Sequence, residues 1–206
     1  MKQLLVVFLA LLFIAFSVQA QSQIGIFGGY GKSNFDLSDE NGEDSGLDQS
    51  SFIPVGAELL FGSKFQIGAE VSYSVSPFSF KAEEGGVTYV EERISQILVG
   101  GVVKIHFGEG TIRPFVRGGA GLYMGKDEID FNEEFSQFLG VTDTTINFKS
   151  AFGFNFGGGL KFQLGENSFL FGEFVYHMVK RELDVEGAEK MKMDNWAIRG
   201  GIEFGL

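Results

Sequence analysis

The chain has no cysteine, only three prolines in 206 residues, and a deficit of positive charge. Without cysteine there is no disulfide scaffold, no zinc ribbon, no thiol nucleophile and no lipid attached through an N-terminal cysteine. Lysine and arginine number 16 against 27 acids, a formal charge of −11. That balance argues against nucleic acid as a partner, because phosphates are held by clustered basic side chains. Long apolar runs are also missing. Beyond the first 20 residues nothing approaches the roughly 18 consecutive apolar residues of a membrane-spanning helix. A hydrophobic share of 44% is nonetheless too high for a disordered acidic chain. What abounds is glycine and phenylalanine. There are 30 glycines, where average usage gives about 14, and 24 phenylalanines.

Residues 1–20 read as a secretory signal peptide. Lys2 supplies the positive start, Leu4 to Phe16 the apolar run, and Ser17-Val18-Gln19-Ala20 a small-residue cleavage point before Gln21. A helix of that run rises only about 20 Å, against a hydrocarbon core of roughly 30 Å, so it is too short for an anchor. Residues 21–206 then form one domain.

That domain alternates with period two. Phe65, Ile67, Ala69, Val71, Tyr73 and Val75 face one way; Gln66, Gly68, Glu70, Ser72, Ser74 and Ser76 face the other. Such a strand has one apolar and one polar side. The split recurs around Ile97–Phe107, Phe154–Leu164 and Trp196–Leu206. Three connections are tight and carry Gly or Asn: Gly62-Ser63-Lys64, Gly108-Glu109-Gly110 and Gly165-Glu166-Asn167-Ser168. Four are longer and polar, near 36–51, 77–90, 125–147 and 182–194. The alternation of short and long predicts eight antiparallel strands with both ends on the short-turn side. A hairpin hidden in 127–147 would raise the count to ten, although Asn132 to Leu139 looks more like a helical turn.

Volume decides which face is outside. An eight-stranded barrel has an interior just wide enough for side chains. Phe154, Phe156, Phe162, Phe174, Trp196 and Phe204 would overfill it, whereas the Gly-, Ser- and Asn-rich polar face suits a narrow lumen. The expected fold is therefore all-β, an eight-stranded antiparallel up-and-down transmembrane barrel with its apolar face in lipid. Short turns on one rim and long loops on the other are how such barrels are built.

Two stretches resemble a family. Arg113-Pro114-Phe115-Val116-Arg117-Gly118-Gly119-Ala120-Gly121-Leu122-Tyr123 looks like the proline-aromatic, glycine-rich strand of small OmpA/OmpW-like outer-membrane barrels, the porin family. The ending Gly201-Ile202-Glu203-Phe204-Gly205-Leu206 is similar to the C-terminal signal read by the outer-membrane assembly machinery, though it closes on leucine rather than an aromatic residue. The resemblance implies the outer membrane of a Gram-negative bacterium and both termini in the periplasm. It implies outer-membrane lipid, lipopolysaccharide and the assembly machinery as partners, and a monomer.

The inward faces carry charges of both signs: Glu58, Glu70, Glu173 and Glu203 with Lys104, Arg113, Arg117, Lys161 and Arg199, beside His106 and His177. Buried charges are tolerated when paired, so the nine charged residues are expected to form a structural ion-pair network that plugs the lumen. The role expected is structural or surface-interacting; a narrow channel for small ions or hydrophobic solutes is the alternative. A lipid-modifying enzyme is less favoured, because no serine sits beside both a base and an orienting acid. No catalytic, cofactor or metal site is expected. The acids of the first loop (Asp36, Asp39, Glu40, Glu43, Asp44 and Asp48) do not follow the spacing of a calcium-binding EF-hand loop.

Overall fold

A computed structural model describes residues 22–35, 51–76, 80–84, 87–132, 136, 142–182, 184 and 190–206. Residues 1–20, expected to be a signal peptide, and the first-loop acids lie outside the described residues. The strands are β1 (Ser22–Phe35), β2 (Ser51–Phe61), β3 (Phe65–Val75), β4 (Phe80–Glu84), β5 (Val87–His106), β6 (Ile112–Phe131), β7 (Thr144–Gln163), β8 (Ser168–Glu182) and β9 (Lys190–Gly205). Each of the eight longer strands pairs antiparallel with its neighbours, β1 with β9 and β3 with β5 closing the circle. A closed wall has no unpaired edge. Among the described residues no helix is long and apolar enough to cross a membrane, so any crossing is made by strands.

The tight turns fall where the sequence places them. Gly62 and Gly108 take positive φ, 113° and 82°. At Gly62 a Cβ would also lie 2.0 Å from the Phe65 carbonyl oxygen, so only glycine fits that corner. The chain ends meet on the same rim, where the Leu206 amide donates to the Ser22 carbonyl at 2.8 Å.

The long connections are shorter than their polarity suggests. β4 lies inside 77–90 and forms a hairpin with the outer end of β5, from Phe80 opposite Glu92 to Glu84 opposite Val87, on the side of β5 that β3 occupies nearer the short-turn rim. β6 and β7 remain paired as far as Ile129 and Thr144, and β9 begins at Lys190. Past the membrane both faces of a ladder meet water, so the hydrogen bonds continue while the period-two signal fades. No further strand pair appears between β6 and β7 among the described residues, which removes the ten-strand reading. The Ser136 amide donates to the Asn132 carbonyl at 2.8 Å, one helical hydrogen bond where a helical turn was expected.

The faces have the expected phase. Phe65, Phe152, Phe154, Phe156, Phe174 and Phe204 point outward. The interior is less small and polar than the sequence suggests. Phe27, Phe115 and Phe171 form a buried cluster, and Leu60, Leu98, Val102 and Val175 are buried too. Phe171 and Val175 were hidden because β8 is apolar on both faces for much of its length, which erases the alternation.

Candidate functional site

The interior is organised in levels, and register explains why. Glu58 of β2 stands opposite Glu70 of β3, Lys104 of β5 opposite Arg117 of β6, and Arg113 of β6 opposite Lys161 of β7. Like charges directly opposite repel. All but Arg113 are relieved by an opposite charge from another part of the wall.

Nearest the short-turn rim is a lysine level. Lys104 Nζ donates to Glu58 Oε1 at 2.5 Å and to Glu203 Oε1 at 3.1 Å. Lys161 donates to Glu203 and, at 2.7 Å, to Gln23 Oε1. Gln66 links Gln23 (2.9 Å) to His106 Nε2 (2.8 Å), extending the chain of bonds toward the rim. Gly25 sits between the two glutamates; a Cβ there would come within 2.9 Å of Glu58 Cγ and 3.2 Å of Glu203 Cγ.

Farther along is an arginine level. Arg117 donates to Glu173 at 3.0 Å and also to Glu70. Arg199 donates to Glu70 at 2.7 Å and to Glu173 at 2.6 and 3.0 Å. Two forked guanidiniums and two carboxylates thus close a four-membered ring across the lumen, with Asn155 accepting a further bond from Arg117 at 3.4 Å. Between the levels lies the phenylalanine cluster. Lys104 Nζ sits 4.7 Å from the Phe171 ring centre, and the Arg199 guanidinium carbon 4.1 Å from that of Phe27, both within cation–π range.

Of the nine charged residues predicted, the structure brings eight together in these two levels. Arg113 is the exception. It lies at the rim and donates to the Gly110 carbonyl at 3.0 Å and to Gln163 Oε1 at 3.1 Å. Sequence reasoning missed Gln23 and Gln66 as members. It placed His177 inward but missed Arg181 and the third level beyond the arginines, where Tyr123 and His177 bond at 2.9 Å beside a buried cluster of Leu98, Phe148, Val179 and Met193. Counting inward by twos from His177 reaches Arg181, so its position was available in the pattern.

The histidines have amide and phenol partners, Gln66 and Tyr123. No group of three or more metal-ligating side chains occurs among the described residues.

Comparisons with known proteins follow the same lines. A family model described as the outer membrane protein beta-barrel domain matches residues 6–204. Neisserial surface protein A is similar in structure, with a TM-score of 0.59, 11% identity, and 90% of this chain and 97% of that one covered. Ail, the attachment invasion locus protein of Yersinia pestis, solved with the heparin analogue sucrose octasulfate, gives 0.51 at 13% identity, covering 91% and 100%. The outer membrane protein AlkL in lipid bilayers gives 0.50 at 14% identity, covering 90% of each. At these identities the likeness is one of fold. A search of curated proteins finds no sequence match.

Proposed function

The chain belongs to the outer membrane protein beta-barrel domain family, and from that premise we propose that its lumen is shut at rest and that its role in the bacterial outer membrane is structural or surface-interacting. One observation carries the reading. The closed arginine–glutamate ring and the lysine–glutamate chain lie one above the other across the lumen, with three phenylalanines between them. Water or a small ion passing along the axis must break bonds in both levels, in surroundings where a separated charge is costly. The histidines are engaged with Gln66 and Tyr123, and the reading includes no catalytic role.

The placement in the membrane follows from the same asymmetry. The short turns and both chain ends share one rim, which in barrels of this class faces the periplasm. The loop around Asn41 is then extracellular. A peptide tag inserted there is reachable on intact cells and one beside Glu109 is not; the opposite labelling would overturn the orientation. The strand extensions above the outward aromatic residues carry exposed Lys126, Lys149 and Lys180 on β6, β7 and β8. Lipopolysaccharide phosphates would compete there with Glu128 and Glu182, which pair with Lys126 and Lys149. The closing residues Gly201–Leu206 remain the segment that the assembly machinery would read, and a monomer is sufficient because the eight long strands close on themselves.

Permeation tests the shut lumen. Proteoliposomes holding the wild-type protein should not swell in isosmotic arabinose or glycine. Swelling at rates that scale with protein content would instead support the narrow channel.

A further inference from the structure

The two charged levels balance internally, with Lys104 and Lys161 against Glu58 and Glu203, and Arg117 and Arg199 against Glu70 and Glu173. Among the described residues Arg181 has no such counterpart. It is only 1% exposed, and its Nε, Nη1 and Nη2 are all buried with no hydrogen-bond partner among them. A guanidinium cannot shed its charge and presents a planar fork of N–H donors. Burying it unpaired is among the costliest arrangements a fold can keep.

The surroundings preserve that fork. Its carbon lies 5.3 Å from the centre of the Phe148 ring, so one face is occupied by an aromatic side chain. On β6, Gly125 leaves a notch; a Cβ there would lie 2.7 Å from Nη1. Phe148 also belongs to the buried cluster with Leu98, Tyr123, Val179 and Met193. Met193 in turn lines a small cavity of about 30 Å³ whose walls include Ser33, Ser74, Ser76, Gln96 and Asn195. Those are hydroxyls and amides, which can donate hydrogen bonds and bear no negative charge. The loop-side end of the lumen thus combines a fixed cation, neutral donors, apolar walls and the Asp127 carboxylate, two residues beyond Gly125 on β6, one oxygen of which is buried.

We propose that Arg181 anchors an anion site at this end of the lumen, one that takes an oxyanion, a carboxylate or phosphate group held by the guanidinium fork. Such groups match the geometry of the fork and form its strongest hydrogen bonds. The site goes beyond the shut lumen, since it lies past both charged levels on the loop side and needs neither to open. The oxyanion can come from a free small ion or from the acidic end of an apolar solute resting against Leu98 and Phe148.

The test uses the full-length protein in detergent micelles, titrated with sodium phosphate against sodium chloride at constant ionic strength. Anything that binds only the folded state raises its melting temperature. Wild type should melt progressively higher as phosphate replaces chloride, and the Arg181 Nε–Hε resonance should shift and saturate. Arg181→Met should lose the phosphate dependence and melt above wild type in phosphate-free buffer, because the unpaired charge is gone. Arg181→Lys should keep part of the dependence. Acetate and hexanoate separate the two sources. Equal half-saturation assigns a free small ion, and a tenfold lower value for hexanoate assigns the end of an apolar solute. The same phosphate dependence in wild type and Arg181→Met would overturn the proposal, as would an Arg181 resonance that stays still at every concentration.

Discussion

The two charged levels of the lumen solve one problem in two ways. In the arginine level each cation touches both Glu70 and Glu173, so the four residues form a closed ring. In the lysine level Lys104 reaches both Glu58 and Glu203, but Lys161 reaches only Glu203 and turns its remaining donors to Gln23. That is an open chain. The difference follows from the side chains: a guanidinium is a rigid fork that can hold two carboxylates at fixed angles, whereas an ammonium is a compact point charge on a flexible stem. A ring loses two partners when any member is removed. A chain loses one at its end, and the rest can close up.

The largest expected effect therefore falls on the ring. Arg117→Met leaves Glu70 and Glu173 sharing Arg199 alone, and should lower stability by about 3–5 kcal/mol, the usual result of leaving a buried charge uncompensated. Urea titration of the detergent-folded barrel measures it. An effect no larger than that of a surface substitution would mean that water already screens the level.

At the end of the chain the effect should be smaller. Lys161→Met leaves Glu203 with Lys104 at 3.1 Å and costs about 1–3 kcal/mol, the price of a lost buried partner. If this variant is instead less stable than Arg117→Met, the ring-and-chain distinction fails. A similar cost, about 1–3 kcal/mol, is expected for Gly25→Val, through overpacking of the space both glutamates occupy. The same titration should show Gly25→Val relieved when Glu58→Gln is added.

The smallest effect belongs outside the lumen. Lys149 and Glu182 pair at 2.5 Å, but the lysine side chain is 47% exposed. Exposed pairs contribute little and are screened by salt, so Lys149→Met should leave the melting temperature unchanged at physiological ionic strength. A drop comparable to that of Lys161→Met would contradict the view that burial, rather than pairing alone, makes these charges matter.

Much of this architecture is legible in the sequence because the membrane imposes two simple rules. Hydrocarbon on one side and a narrow interior on the other force an alternation that places Phe154 and Phe156 outward and Asn155 inward without any structure. The same parity places all eight paired charges inside. Which acid meets which base is not legible, because the contacts cross the lumen between distant strands; Lys104 and Glu203 are 99 residues apart. The alternation also fails where its cause is absent. On β8 the inward Phe169, Phe171, Val175 and Val179 alternate with outward Leu170, Phe174 and Met178, so both faces are apolar and neither announces itself. Past the membrane the ladders of β6 and β7 continue with charged residues such as Lys126, Glu128 and Lys149 set among Ile129, Ile146 and Phe148, so the period is lost and they resemble loops.

Single-protein conductance in a planar lipid bilayer tests the central claim most directly, that paired charges close the lumen. Wild type should show little or no steady conductance at any voltage, and Arg117→Ala, with the ring opened and side-chain volume removed, should show more. Stable conduction by wild type across all voltages, unchanged by Arg117→Ala, would contradict the account.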